Sequence, residues 1–125
     1  MSQNIIIPTN INPRPERFEI EAASIVAEYL GADAVFIARD TSQTPDCKIN
    51  GVEWEIKSPL GNSKHTIETQ LKRASKQATH VIIDARRCKL HIAKIRHQLR
   101  HHGAIKKHIV RIILITKTES VEEMK

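Results

Sequence analysis

The chain has 125 residues and a formal net charge of +6; 40% of its residues are hydrophobic and 27% are charged. This length predicts one domain with a real core, and the positive charge favours an anionic partner, nucleic acid first and an acidic protein second. Aromatic residues make up only 3% of the chain, which argues against base stacking as the main mode of binding.

Residues 1–14 are predicted to form an extended arm, in which two prolines follow the short apolar run Ile5–Ile7. No basic region precedes this run, so we expect no signal peptide. No apolar stretch approaches the roughly 20 residues of a membrane span. We therefore expect no membrane contact and a cytoplasmic site of action.

A first helix is predicted from Pro15 to Leu30, with Gly31 suited to its C-cap. Its apolar stripe recurs at helical spacing. The stripe consists of Phe18, Ala22, Ile25, Val26 and Tyr29. Glu21 and Glu19 lie at opposite edges of this stripe. A carboxylate there is ordinarily a solvated flank, but either one could reach the strands that follow.

A tight β-hairpin is predicted from the segment PDCKINGVEWEIK at residues 45–57. Asn-Gly between alternating runs is the strongest short-range hairpin signal, because a type I′ turn needs positive φ at both central residues. The two-residue turn Asn50-Gly51 fixes the register of the two strands. Asp46 is therefore expected directly opposite Glu55.

The polar face of this hairpin carries an acidic pair beside a lysine, because Asp46, Glu55 and Lys57 point the same way. Opposed carboxylates with Cβ atoms about 4.5–5.5 Å apart repel each other, and a bound cation removes that repulsion. Magnesium favours one or two carboxylates plus water and phosphate oxygens. The alternative is a solvated face on which Lys48 and Lys57 neutralise Glu53 and Glu55.

The rest of the chain alternates between helices and apolar strands. A strand is expected before the hairpin at residues 33–39, then a helix at about 64–78, a strand at 80–85, a helix at 90–102 and a strand at 109–117. Residues 119–125 are expected to fray, which leaves residues 15–118 as the domain.

The second helix is predicted to be basic outside its apolar stripe. Its candidate contacts to a phosphate backbone are Lys64, Lys72, Arg73 and Lys76, with Gln70 at the edge of the stripe. Such contacts give salt-dependent affinity with little sequence information. The alternative is a solvated basic face with an ordinary helix-edge glutamine.

Pro45-Asp46, followed after eight residues by Glu55-Ile56-Lys57, resembles the PD-(D/E)xK motif of a superfamily of metal-dependent nucleases. The predicted fold is α/β, with a mixed sheet and helices on both faces. Its order, α-β-β-β-α-β plus a C-terminal helix and strand, is similar to the restriction-endonuclease-like core of that superfamily. The resemblance implies that Asp46 and Glu55 bind Mg²⁺ or Mn²⁺ and that Lys57 is the catalytic lysine.

A closer resemblance is to the C-terminal nuclease toxin domains of contact-dependent growth inhibition CdiA proteins. It rests on the PD hairpin together with Glu21-Ala22-Ala23, Lys57-Ser58-Pro59, Lys76-Gln77-Ala78 and the strand Val81-Ile82-Ile83-Asp84. The resemblance implies that Glu21 is the carboxylate of the first helix. It also implies an RNA substrate, with tRNA favoured over DNA, and an acidic immunity or antitoxin protein as a further partner.

Two other classes of function stay open. One is a DNA endonuclease of repair or restriction type with the same site, and the other is a non-catalytic nucleic-acid-binding or protein-interaction module on the same fold. The intact Asp/Glu/Lys set argues against the second. The sequence carries no indication of an oligomeric state.

Overall fold

Over residues 3–125, the computed structural model forms one seven-stranded mixed sheet with three helices. The strands lie in the sheet in chain order. They are β1 (Ile5–Ile6), β2 (Ala34–Phe36), β3 (Cys47–Ile49), β4 (Val52–Lys57), β5 (His80–Asp84), β6 (Arg111–Ile115) and β7 (Val121–Glu123). The helices are α1 (Arg17–Leu30), α2 (Thr66–Ala74) and α3 (Ile92–Ile105). The predicted α/β class, with a mixed sheet, is confirmed.

The sheet separates two hydrophobic clusters, one on each face. Alternate residues of the same strand feed opposite clusters: Ile82 packs on the α1 side, whereas Val81 and Ile83 pack on the side of α2 and α3. Such buried parallel strands are apolar on both faces. In the part of the chain that the structure describes, no helix is both long and apolar enough to cross a membrane.

The hairpin of β3 and β4 has the predicted register. Cys47 pairs with Trp54, Lys48 with Glu53 and Ile49 with Val52. The turn residues Asn50 and Gly51 have φ values of 54° and 78°, as a type I′ turn requires. The local sequence is therefore sufficient to specify this hairpin.

The carboxyl ends of β4, β5 and β6 lie at one edge of the sheet, because these three strands are parallel. Lys57 ends β4 and Asp84 ends β5. Crossover helices return the chain to the opposite edge between each pair of strands. Polar side chains at the ends of these strands therefore lie along one edge of the sheet.

The predicted apolar stripe of α1 is rotated relative to the face that the helix buries. Its most buried residues are small: Ala22, Ala23, Val26 and Ala27. Tyr29, predicted to face the core, is 46% exposed, and its hydroxyl donates to Glu123 at 2.8 Å. Small side chains let the helix approach the sheet closely, so they define the packed face.

Both chain ends join the sheet, and the C-terminal tail departs from its prediction. The arm contributes β1, which pairs parallel with β2. The tail predicted to fray instead forms β7, antiparallel to β6. Two ion pairs hold it, Arg96–Glu122 and Arg111–Glu123, each at 2.6 Å. The acidic tail is ordered because its arginine partners stand beside it only in the folded chain.

Candidate active site

A cleft of about 660 Å³ opens beside the carboxyl end of β4. It is bordered by the first turn of α1, the loop after β2 and the turn that follows α2. Its charged lining residues are Glu19, Arg39, Glu55, Lys57, Arg73 and Lys76. A smaller cavity of about 160 Å³ adjoins it; Glu19 and Arg39 line both, and Asp46 lines the smaller one.

Asp46 lies just before β3 and is held from both sides. Its backbone N–H donates to the backbone carbonyl of Trp54 at 3.1 Å, which continues the hydrogen-bond ladder of the hairpin. Its Oδ2 accepts from the backbone N–H of Ile56 at 2.8 Å, and its Oδ1 accepts from Arg39 Nη2 at 3.1 Å. The residue is 5% exposed. The carboxylate therefore has a fixed orientation between a backbone donor and an arginine.

Glu55 is only 2% exposed, and its two oxygens have different surroundings. Oε2 lies 3.0 Å from Lys57 Nζ, whereas Oε1 is buried without a hydrogen-bond partner. Burial, followed by the negative charge of Asp46, raises the pKa of Glu55 to about 8; Lys57 acts in the opposite direction. An unpaired buried carboxylate oxygen is costly, and such perturbed groups concentrate at functional sites.

Among the predicted phosphate contacts, the structure brings Arg73 and Lys76 into the cleft lining. Lys64 and Lys72 are exposed elsewhere, and Gln70, which is half-buried, is not a lining residue. Helix α2 ends at Ala74, earlier than predicted, and the turn after it brings Lys76 into the lining. The same turn brings Gln77 into the lining, a residue that the sequence pattern did not indicate as a site residue.

Glu19, and not Glu21, is the α1 carboxylate that reaches the acidic pair. Burial raises the pKa of Glu19, and Asp46 raises it further. Its Oε1 accepts from the backbone N–H of Glu16 at 2.9 Å, which fixes it at the start of the helix. Glu21 instead is paired with Arg17 at 3.3 Å and with Arg86 at 3.2 Å. The structure thus places Glu19, and not Glu21, in the lining of the cleft, while the role that the resemblance implies for Glu21 stays a prediction.

The rotation of α1 explains why Glu19, rather than Glu21, lies beside Asp46. Side chains two positions apart in an α-helix are rotated by about 200° around its axis, so Glu19 and Glu21 point to nearly opposite sides. Glu19 precedes Ala22 and Ala23 by three and four residues and so shares their buried face. In the sequence, these alanines, rather than the larger residues of the stripe, indicate that Glu19 is the glutamate that faces the sheet.

Two further residues at the site had weaker signals in the sequence. Asp84 ends an apolar strand and is 0% exposed; an acidic residue in that place is unusual enough to notice. Arg39 lies seven residues before Asp46 in a polar loop, and nothing local distinguishes it. Its contact with Asp46 depends on the pairing of β2 with β3.

The residues present fit a divalent cation held by two carboxylates. The buried, unpartnered Oε1 of Glu55 is the observation that favours it, since a cation would satisfy both that oxygen and the repulsion from Asp46. Within residues 3–125, no group of three or more His, Cys, Asp or Glu side chains could hold a metal by itself. Asp46 and Glu55, completed by water and phosphate oxygens, suit magnesium.

Glu55→Gln is expected to stabilise the metal-free protein at alkaline pH. Because the pKa of Glu55 in the folded protein, about 8, exceeds its ordinary value of 4.5, the folded state binds more protons between these values. The wild type therefore loses stability as the pH rises from about 4.5 to about 8. Thermal denaturation in EDTA should give Glu55→Gln a Tm several degrees above that of the wild type at about pH 9. At about pH 4 the two Tm values should be equal. A difference that is the same at both pH values would contradict this assignment; Glu53→Gln, on the exposed part of β4, is the control.

One comparison with known proteins shows a family, and a second shows a similar fold. The family model of the contact-dependent growth inhibition CdiA C-terminal domain matches residues 43–121. A solved structure described as a CdiA-CT/CdiI toxin and immunity complex from Burkholderia pseudomallei is similar, with a TM-score of 0.67, 20% sequence identity and 98% of each chain covered. At this identity the likeness shows the fold alone. The comparison with curated proteins gave no match. Since the matched residues make up more than half of the chain, the chain belongs to the contact-dependent growth inhibition CdiA C-terminal domain family.

Proposed function

We propose that this toxin-family domain is a metal-dependent nuclease that hydrolyses phosphodiester bonds, with RNA, and tRNA first, as its substrate. One observation carries the proposal. The buried Glu55 leaves one oxygen unpartnered beside Asp46, while Lys57 contacts its other oxygen in a cleft lined by cations. A burial so costly is retained most readily where function requires it.

Each side chain has a definite part in the proposed reaction. Asp46 and Glu55 would hold Mg²⁺ or Mn²⁺. When bound, such an ion polarises a phosphoryl oxygen and lowers the pKa of a coordinated water. Lys57 donates a hydrogen bond to the phosphate or to the attacking water, and its charge stabilises the negative charge that develops in the transition state. Glu19 stands beside Asp46 and would help to orient the attacking water.

The cations of the cleft support a phosphate-backbone substrate. Arg73, Lys76 and Gln77 line the same cleft as Lys57. Lysine and arginine contacts to phosphates position a nucleic acid without reading its sequence. The preference for RNA rests on the family, whereas the geometry supports the phosphodiester chemistry.

The solved relative is a complex of a toxin with its immunity protein. We include an immunity protein among the proposed partners of this chain. The net charge of +6 favours an acidic one, which would be attracted to the basic surface over a long range.

The proposal is tested by incubating the purified domain with total tRNA and with plasmid DNA, in Mg²⁺, Mn²⁺ or EDTA. We expect tRNA cleavage that needs a metal and is lost in Asp46→Asn, which keeps the shape of the side chain. Circular dichroism checks that the variant is folded. Cleavage that persists in EDTA, or no cleavage of either substrate by the folded wild type, would overturn the proposal. DNA cleavage with the same dependence would keep the chemistry and replace the substrate.

A further inference from the structure

Arg39 occupies the position of a counter-ion at the acidic pair. Its Nη2 lies 3.1 Å from Asp46 Oδ1. Its side chain is 46% exposed, whereas Asp46 is 5% exposed, so the arginine approaches the carboxylate from the solvent side. The charges of Asp46, Glu19 and Glu55 all act on it. Arg39 is thus the cation that pairs with Asp46, whereas Lys57 pairs with Glu55.

The two oxygens of Asp46 differ in how readily they could be released. The donor to Oδ2 is the backbone N–H of Ile56, which is fixed by the ladder of β4. The donor to Oδ1 is the end of a long, half-exposed side chain. A second cation that binds Oδ1 would meet Arg39 there, and two cations at one oxygen repel each other.

Arg39 also borders both the smaller cavity that Asp46 lines and the cleft. The cleft and the smaller cavity share Glu19 and Arg39, and Asp46 lines only the smaller cavity of the two. When the guanidinium leaves Asp46, it remains beside the cleft that contains Lys57. Its planar fork of donors is well matched to phosphate oxygens.

We propose that Arg39 is an exchangeable counter-ion, which holds Asp46 in the metal-free protein, yields Oδ1 to the divalent ion and then binds a phosphate of the substrate in the cleft. This inference rests on the proposed function. It predicts that Arg39 weakens the binding of the metal and strengthens the binding of the substrate.

The test measures Mn²⁺ binding to the EDTA-stripped protein by the paramagnetic resonance signal of free Mn²⁺. Arg39→Met is expected to bind Mn²⁺ about tenfold more tightly than the wild type, since one charge-assisted hydrogen bond no longer has to be broken. Arg14→Met is the matched control: Arg14 lines the same smaller cavity, but within residues 3–125 it forms no ion pair with Asp46. We expect its Mn²⁺ affinity to stay near that of the wild type.

A second measurement separates exchange from a merely structural clamp. At saturating Mn²⁺, Arg39→Met is expected to raise the KM for the substrate, while Arg39→Lys, which keeps the charge, restores part of the loss. Mn²⁺ should also raise the Tm of Arg39→Met more than that of the wild type. If Arg39→Met binds Mn²⁺ no more tightly than the wild type, exchange is overturned while the nuclease proposal stands. If no variant and no wild-type protein binds Mn²⁺, both are overturned.

Discussion

Glu55→Gln is expected to lower the rate of substrate cleavage by at least about 10²–10³-fold, the loss that follows removal of one preorganised electrostatic group from an active site. Glutamine keeps the shape of the side chain but cannot supply the charge that pairs with a divalent ion. Single-turnover cleavage at saturating Mg²⁺ measures this loss.

Glu53→Gln is the matched control, since Glu53 is on the same strand but is exposed and paired across the hairpin with Lys48. Its rate should equal that of the wild type. The same logic pairs Lys57→Met, expected to be inactive, with Lys48→Met, expected to be active. A Glu55→Gln variant that cleaves at the wild-type rate would contradict the assignment of the site.

Loss of activity in Glu55→Gln should accompany a gain in stability, as argued above from the pKa of Glu55. This combination distinguishes a catalytic defect from unfolding. It is also the general behaviour of sites at which function has been retained at some cost in stability.

Arg86→Met is expected to lower the free energy of unfolding by about 3–5 kcal/mol, because it leaves a buried carboxylate without its partner. Asp84 is 0% exposed. Arg86 Nε donates to its Oδ1 at 2.9 Å and Nη2 donates to its Oδ2 at 2.9 Å. The same guanidinium also donates to the carbonyl of Phe18 at 3.1 Å and so ties α1 to the sheet edge.

Urea denaturation measures this effect, and the adjacent arginine provides the control. Arg87 is exposed; it stacks 4.0 Å from the ring of Phe18 and donates to Ser58 at 3.2 Å. Arg87→Met should therefore cost only about 1 kcal/mol or less. The double variant Asp84→Asn with Arg86→Met should recover part of the loss, since no charge is then buried alone. Equal stability of Arg86→Met and Arg87→Met would refute this account of the buried pair.

The hairpin of the candidate site could be predicted from the sequence because its determinants are local. Asn50-Gly51 selects the turn, the turn selects the register, and the register puts Asp46 opposite Glu55 with Lys57 on the same face. Each of these steps involves residues within a dozen positions of one another. The apolar period of α2, with Ile67, Leu71 and Ala74 buried, was predictable for the same reason.

Tertiary packing decided the rest of the site. The close approach of Ala22 and Ala23 to the sheet turned Glu19, rather than Glu21, toward Asp46, because the rotation of a helix depends on the surface that it packs against. Arg39 reaches Asp46 only once β2 has paired with β3. The acidic tail is held by Arg96, which lies 26 residues from Glu122, and by Arg111 of the neighbouring strand β6. By itself, the sequence determined the chemistry of the acidic pair and its lysine; the long-range packing determined which other charges surround them, since those charges come from elements whose positions no local pattern specifies.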